Sequence, residues 1–270
     1  MEGKARKIMF DRTALVTGAA GFLGAAICDK LSKKYKVIGL DITESKFTNV
    51  NYMHHVCDIT REEDMENIAE RLSKEGIKLD VIINNAAINP KVEKEGLIQG
   101  TSSRIEEYDL NAMRREMEVS LIAPVLIAKC LMKLIREKDD SDCVTSCFVN
   151  ISSDLGIIAP DNRLYRDENK KESEQKVKPI GYSIVKSGIL GFSRYMATYS
   201  PQHFRSNSIC PGGIFNNQGD EFLKKIEEKI PLKRMANVSE VVNAVEFLAS
   251  TKSTYMNGAE LVVDGGRSIW

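Results

Sequence analysis

Short apolar runs recur along the chain at Ala14–Thr17, Lys36–Asp41, Tyr52–Cys57, Val81–Asn84, Cys147–Ser152, Ser206–Cys210 and Glu260–Val263. Runs of this length, apolar at successive positions, suit strands buried on both faces. Between them lie segments with apolar residues three and four apart, the spacing of one helix face; Leu110–Glu137 and Tyr182–Tyr199 are the longest. The alternation predicts an α/β architecture: a three-layer, doubly wound parallel sheet of about seven strands, joined by right-handed crossovers, with helices on both faces. No repeat or low-complexity linker divides the chain, so residues 1–270 are expected to form one domain. Glu168–Lys178 is the one polar, charge-dense stretch inside it, and reads as a surface loop or a short helical insertion.

Composition narrows the partners. The chain has 38 Lys and Arg against 38 Asp and Glu, a balance that gives no reason to expect nucleic acid or an anionic membrane. Leu121–Ile135 is interrupted by Pro124, Lys129 and Lys133, too short and too charged to span a bilayer. Met1–Phe10 has charge and no apolar run of leader-peptide length, so a cytoplasmic location is expected. None of the six cysteines forms a C-x-x-C pair, and Cys57, Cys147 and Cys210 fall in strand-like runs, as buried thiols of a reducing compartment do. Cys143 and Cys147 make only a weak metal or redox pair, and His54, His55 and His203 have no metal-ligand spacing; no metal is expected.

Candidate chemistry begins at Thr17-Gly18-Ala19-Ala20-Gly21-Phe22-Leu23-Gly24, between the first strand and a helix. Gly18 allows the tight turn, Gly21 lets backbone approach a pyrophosphate, and Gly24 permits close helix–strand packing. The helix start offers unpaired N–H groups to phosphates. Gly18, Ala20, Gly21, Phe22, Leu23 and Gly24 are therefore candidate cofactor contacts. Asp41 ends the next strand, where a carboxylate can accept both ribose hydroxyls and repel a 2′-phosphate. Ile42, Thr43 and Glu44 follow it, with no cation, which favours NAD over NADP.

With these motifs the sequence resembles the short-chain dehydrogenase/reductase family over roughly residues 12–266. The resemblance implies a Rossmann-like fold. Val56-Cys57-Asp58-Ile59 is similar to the family's adenine-contacting segment, and implies contacts from Asp58 and Ile59. Asn84-Asn85-Ala86-Ala87 resembles its Asn-Asn-Ala-Gly turn, with Ala87 for Gly, and implies that Asn85, Ala86 and Ala87 line the cofactor. Asn150-Ile151-Ser152-Ser153-Asp154-Leu155-Gly156 is similar to the catalytic-serine strand, with Ser153 in the catalytic place and Ser152 the alternative. Tyr182-Ser183-Ile184-Val185-Lys186 matches Tyr-x-x-x-Lys, and Pro211-Gly212-Gly213-Ile214 resembles the turn beside the nicotinamide, implying contacts from Pro211, Gly212 and the Ile214 backbone. Pro231–Met235, Gly258 and Val263–Gly266 resemble C-terminal elements used in oligomer contacts, implying a homotetramer with twofold axes or a homodimer.

Three features depart from the pattern. The glycine spacing is that of the extended branch, which includes epimerases and dehydratases. Ser120 stands where the family often has a helix Asn. Ser153 and Tyr182 are 29 residues apart, longer than the family norm, with an insertion at about 160–179.

The trio suits oxidation of a secondary alcohol or reduction of a ketone. Tyr182 would serve as general acid and base, also touching cofactor. Lys186, four residues on, shares its helix face and would bind ribose. A cation at about 4 Å could lower the phenol pKa by as much as about 3. Ser153 would hold the substrate oxygen. Within the insertion, Asp161, Arg163 and Tyr165 are candidate substrate contacts, and the Lys-rich part, Lys170–Lys178, reads as solvated. Gly156–Tyr165 and Trp270 are similar to family members of bacterial surface-sugar and flagellin-glycan pathways, which implies a sugar, sugar-phosphate or sugar-nucleotide substrate. Two rival readings stay open: an epimerase or dehydratase with retained NAD, and a non-catalytic dinucleotide sensor.

Overall fold

Strands form at the short apolar runs, in the order expected: β1 (Thr13–Thr17), β2 (Lys36–Asp41), β3 (Tyr52–Val56), β4 (Val81–Asn84), β5 (Ser146–Ile151), β6 (Phe204–Pro211) and β7 (Glu260–Val263). This is a computed structural model that describes residues 12–89, 103–137, 146–200 and 203–270. Met1–Phe10 and Cys143 lie outside them. The strands make one parallel sheet in the order β3-β2-β1-β4-β5-β6-β7. The chain starts in the middle, builds outward to β3, returns to β4 beside β1, and builds the other way.

Successive side chains on a strand face opposite layers. Leu15, Ile82 and Phe148 face one core, with Met65 and Leu72 of α2 (Glu62–Lys74), Ile127 and Leu131 of α4 (Ala123–Leu131) and Met196 of α5 (Ile180–Tyr199). Their neighbours Val16, Ile83 and Val149 face the other, with Ile27 and Leu31 of α1 (Phe22–Leu31) and Val241, Val245 and Leu248 of α7 (Val238–Ala249). The doubly wound layering expected from the pattern is thus present.

The continuous helix expected over Leu110–Glu137 is instead segmented. α3 (Leu110–Met117) is capped by Asp109, whose carboxylate accepts from the Asn111 and Ala112 N–H groups. A π-helical turn, Glu118–Ile122, follows; then come α4 and a 3₁₀ turn at Met132–Leu134. Pro124 gives a physical reason: it lacks the N–H that would bond the Ser120 carbonyl in a regular α-helix, and the turn widens there.

Two features were not read from the pattern. A polar ladder crosses the buried sheet: the Asn84 amide donates to Asn150 Oδ1 at 2.7 Å, and Asn150 donates to Ser206 Oγ at 3.2 Å. The insertion also has a small core of its own, in which Leu164 packs with Ile226 of α6 (Asp220–Glu227), Ile230 and Met235. Among the described residues no helix is long and apolar enough to cross a membrane.

Candidate active site

At the reversal of strand order, a crevice opens past the C-terminal ends of β1 and β4, the usual ligand position in such sheets. It is a cleft of about 1000 Å³ lined by the glycine turn, the ends of β2 and β5, the start of α5, the Pro211–Ile214 turn and part of the insertion.

Its first half is built by the glycine turn. Gly18 has φ +65°, and a Cβ there would lie 2.9 Å from the Ala86 Cα. A Cβ on Gly24 would fall 2.0 Å from the Gly18 carbonyl oxygen, so the third glycine is required by packing. Helix α1 starts at Gly21 with no side-chain cap and no acidic residue in its first turn, leaving backbone donors for an anion. Phe22 and Leu23 line the cleft beside it, as do Leu40, Asp58 and Ile59. Asp41 is partly engaged: Oδ2 accepts from the Ala20 N–H at 3.0 Å, and Oδ1 accepts from the Thr43 N–H and hydroxyl. Asp58 Oδ1 accepts from Thr60.

Asn85 lines the cleft, but its amide donates to the Thr17 and Gly18 carbonyls, and the Thr17 hydroxyl accepts from the Asn85 and Ala86 N–H groups. Its side chain therefore braces the turn, while Ala86 and Ala87 line the cavity. These groups suit a dinucleotide: backbone donors for the phosphates, Asp41 for ribose hydroxyls and an apolar slot at Ile59.

The other half brings Ser153, Tyr182 and Lys186 together. Ser153 follows β5 and lines the cleft with Tyr182, its hydroxyl donating to Asp154 Oδ1 at 2.8 Å. The alternative, Ser152, is turned away, its hydroxyl donating to the Lys186 carbonyl at 2.6 Å. Lys186 is buried and donates from Nζ to the Ile151 carbonyl at 2.7 Å, with Nζ 5.7 Å from the Tyr182 ring centroid. Pro211, Gly212 and Ile214 close this end; the Ile214 carbonyl accepts from Gln218.

Electrostatics here differ from the expectation of a lowered phenol. Burial pushes Tyr182 up to about 12, with the nearby Ser153 hydroxyl acting against it and Asp154 in the same direction. Burial, together with the positive charge of Lys178, pushes Lys186 down to about 8. Desolvation outweighs the attraction between the pair, because both groups are withdrawn from water.

The insertion contributes Pro160, Asp161, Leu164, Tyr165 and Lys178 to the lining. Tyr165 stacks on Phe222, ring centroids 5.8 Å apart. Arg163 does not enter the cleft: its side chain is 77% exposed and pairs with Asp161 at 2.8 Å. Lys178, expected in a solvated stretch, has Nζ 4.0 Å from the Tyr182 ring centroid and donates to Asn89 Oδ1 at 2.9 Å. It stands four residues before Tyr182, as Lys186 stands four after, and that symmetry was the available signal. Asp154 and Arg267, a buried ion pair beside Ser153, were also missed. They are 113 residues apart, beyond any local pattern. Among the described residues no group of His, Cys, Asp and Glu could hold a metal ion. Ser120 lies in the π turn, buried, its hydroxyl without a partner among the described residues.

A family model described as enoyl-(acyl carrier protein) reductase matches residues 18–268. The chain is 29% identical over 271 aligned positions to a 3-oxoacyl-(acyl-carrier-protein) reductase of Buchnera aphidicola, covering 94% of this chain and 96% of that one. It is 25% identical to an uncharacterized short-chain type dehydrogenase/reductase of Sinorhizobium fredii, of whose length it spans 44%. Among solved structures it is similar to a short chain dehydrogenase from Leptospira borgpetersenii with bound NAD+, at 28% identity and a TM-score of 0.78, covering 100% of both chains.

Proposed function

This chain belongs to the short-chain dehydrogenase/reductase family, and from that premise we propose that it is an NAD(H)-dependent oxidoreductase interconverting a secondary alcohol and a ketone on a sugar-derived substrate. The observation that carries this reading is that Ser153, Tyr182 and Lys186 line one end of the cleft together, with Lys186 one helical turn after Tyr182. NAD, held by the glycine turn and Asp41, supplies the hydride acceptor, and in reduced form the donor. In oxidation Tyr182 as phenolate takes the alcohol proton; in reduction Tyr182 as phenol gives its proton to the oxygen. Ser153 holds that oxygen, Lys186 binds ribose and favours the phenolate once cofactor is present, and water restores the tyrosine. Residues 1–270 act as one domain, with 160–179 as its substrate loop.

A polyhydroxylated ring suits the substrate end. Tyr165 on Phe222 offers an aromatic wall, and Asp161 and Lys178 offer polar contacts beside it. The relatives that act on acyl carrier protein substrates make the first comparison obvious: a panel of sugar-derived alcohols and ketones against 3-oxoacyl thioesters, followed by NADH absorbance. Preference for the thioesters overturns the sugar assignment and leaves the oxidoreductase reading intact. Tyr182→Phe should lower turnover about 10²-fold or more with the NAD dissociation constant nearly unchanged. Turnover within about threefold of the parent protein would remove Tyr182 from the reaction.

A further inference from the structure

Among the described residues the cations that line the cleft are Lys178, Lys186 and Arg267. Arg267 is committed to Asp154, and the side chains of that pair are 9% and 3% exposed. Lys186 donates to the Ile151 carbonyl and is the cation assigned to ribose above. Lys178 has no part in the proton transfer or in cofactor binding, yet its Nζ stands 4.0 Å from the Tyr182 ring centroid.

The backbone on either side holds it there. The Lys178 N–H donates to Asn162 Oδ1 at 3.1 Å, which ties it to the first half of the insertion, and the Val177 N–H donates to Ser103 Oγ at 3.0 Å. Pro179 follows as the N-cap residue of α5, with φ −55°, so the chain enters the helix that carries Tyr182 in a fixed direction. The Lys178 ammonium donates to Asn89 Oδ1 at 2.9 Å, and Asn89 lines the cleft as well. With its oxygen turned to Lys178, the Asn89 amide keeps its nitrogen as a donor. An ammonium beside an amide N–H is a donor pair that suits a carboxylate or a phosphoryl group.

The carboxylates nearby do not repel such a group. Asp161 lines the same end but is held by Arg163 at 2.8 Å and by Lys229 at 3.5 Å. Asp154 is balanced by Arg267. Glu116 lies beneath Gly181, outside the lining, and accepts from the Tyr108 hydroxyl at 2.8 Å. Burial pushes Lys178 down to about 8, with Glu116 and Asp154 acting against it, so it is still mostly charged at pH 7. Tyr182 serves the reacting oxygen, and Lys178 stands over the same ring. An anion on Lys178 therefore lies within a few bonds of the reacting carbon.

We propose that Lys178, with Asn89, is the anion receptor of the substrate site and sets the substrate class: an acidic sugar derivative with a carboxylate or phosphate close to the carbinol carbon. This deepens the sugar assignment and rests on the reading of Tyr182 as the acid–base group.

The test compares charged and uncharged partners of the same skeleton: aldonates and uronates against their amides, and sugar phosphates against the free sugars. Each is followed by NADH absorbance with the parent protein, K178M and K178R. The parent kcat/KM should favour the charged member by about 10- to 100-fold, the worth of hydrogen bonds to a charged group. K178M should bring that ratio to within about threefold of unity, chiefly through KM, and K178R should keep most of it. The NAD dissociation constant should stay within about twofold. A preference confined to the acids identifies a carboxylate, and one confined to the esters a phosphate. With turnover removed by Y182F and NAD bound, calorimetry should show the charged member weakened by K178M to the same extent and its uncharged partner unaffected.

A parent protein without a charge preference would overturn the inference. So would a K178M that lowers both members of a pair equally, since Lys178 would then act on Tyr182 or on the fold. Turnover of neutral sugars with an unmoved ratio overturns this inference alone. Turnover of 3-oxoacyl thioesters alone overturns it together with the sugar assignment, and an active Y182F places the fault in the acid–base reading.

Discussion

Asp41 braces a turn and faces the cleft at once: one oxygen holds the Ala20 N–H, the other Thr43. These three bonds leave one of its roughly four acceptor sites, on Oδ2, for a ribose hydroxyl. Replacing Asp41 by Ala should weaken NAD by roughly 10- to 100-fold, the worth of about 1.5–3 kcal/mol for hydrogen bonds to a charged group. NADP should lose less, and kcat/KM with both cofactors measures the change; a parent enzyme that already prefers NADP refutes the role. The cysteines give an independent check. Burial pushes Cys28 up to about 12 and Cys57 and Cys210 up to about 11, so few thiolates form at neutral pH. A disulfide reagent at pH 8 should leave the five described cysteines unreacted until denaturant is added; rapid native reaction of more than one thiol contradicts their burial. At this scale the residues legible in the sequence were those whose partners lie close along the chain. Tyr182 and Lys186 share a helix face, and the glycines share a turn. Asp154 and Arg267 meet only through the folding of the C-terminal segment, and Arg163 stands outside the cleft lining, paired with Asp161 two residues away.

Among elements, the insertion is the part whose existence was legible and whose inner arrangement was not. Length alone marked it between Ser153 and Tyr182, but only packing on α6 decides which side chains turn inward. Tyr165→Ala should raise KM or lower kcat for the substrate while the NAD constant holds, since it removes the wall against Phe222. Arg163→Ala should change either constant by less than about twofold; a larger effect on substrate would bring Arg163 back into the site. The ladder from Asn84 through Asn150 to Ser206 was invisible for a different reason: in a strand pattern a buried Asn looks like a polar interruption, and its partners come from neighbouring strands. Asn150→Ala strands the Asn84 amide inside the sheet and should cost about 1–3 kcal/mol, read as a lower denaturation midpoint. An unchanged midpoint would mean that water replaces the lost partner.

For the molecule as a whole, the doubly wound parallel sheet was predictable from the alternation of strands and helices, while the order of its strands comes from the structure. Assembly is different: a single chain's pattern does not say which apolar surface is shared. The structure leaves Leu110, Ile122 and Val125 exposed on the α3–α4 segment, and Ile184, Tyr195 and Tyr199 exposed on α5. Such faces suit self-association about a twofold axis, and light scattering at micromolar concentration should return a tetramer or dimer mass. A monomer mass would refute it.

The reversal of strand order has a mechanical consequence. It splits the sheet into two wings, β1–β3 and β4–β7, and the β1–β4 pairing is the strand-to-strand seam between them. Asp41 and Asp58 stand on the first wing; Tyr182, Lys186 and Pro211 stand on the second. A dinucleotide lying across them is a staple, and an adenine nucleotide alone is half of one. Hydrogen exchange should follow that division: ADP should slow amides near β2 and β3, whereas the full dinucleotide should slow both wings in step.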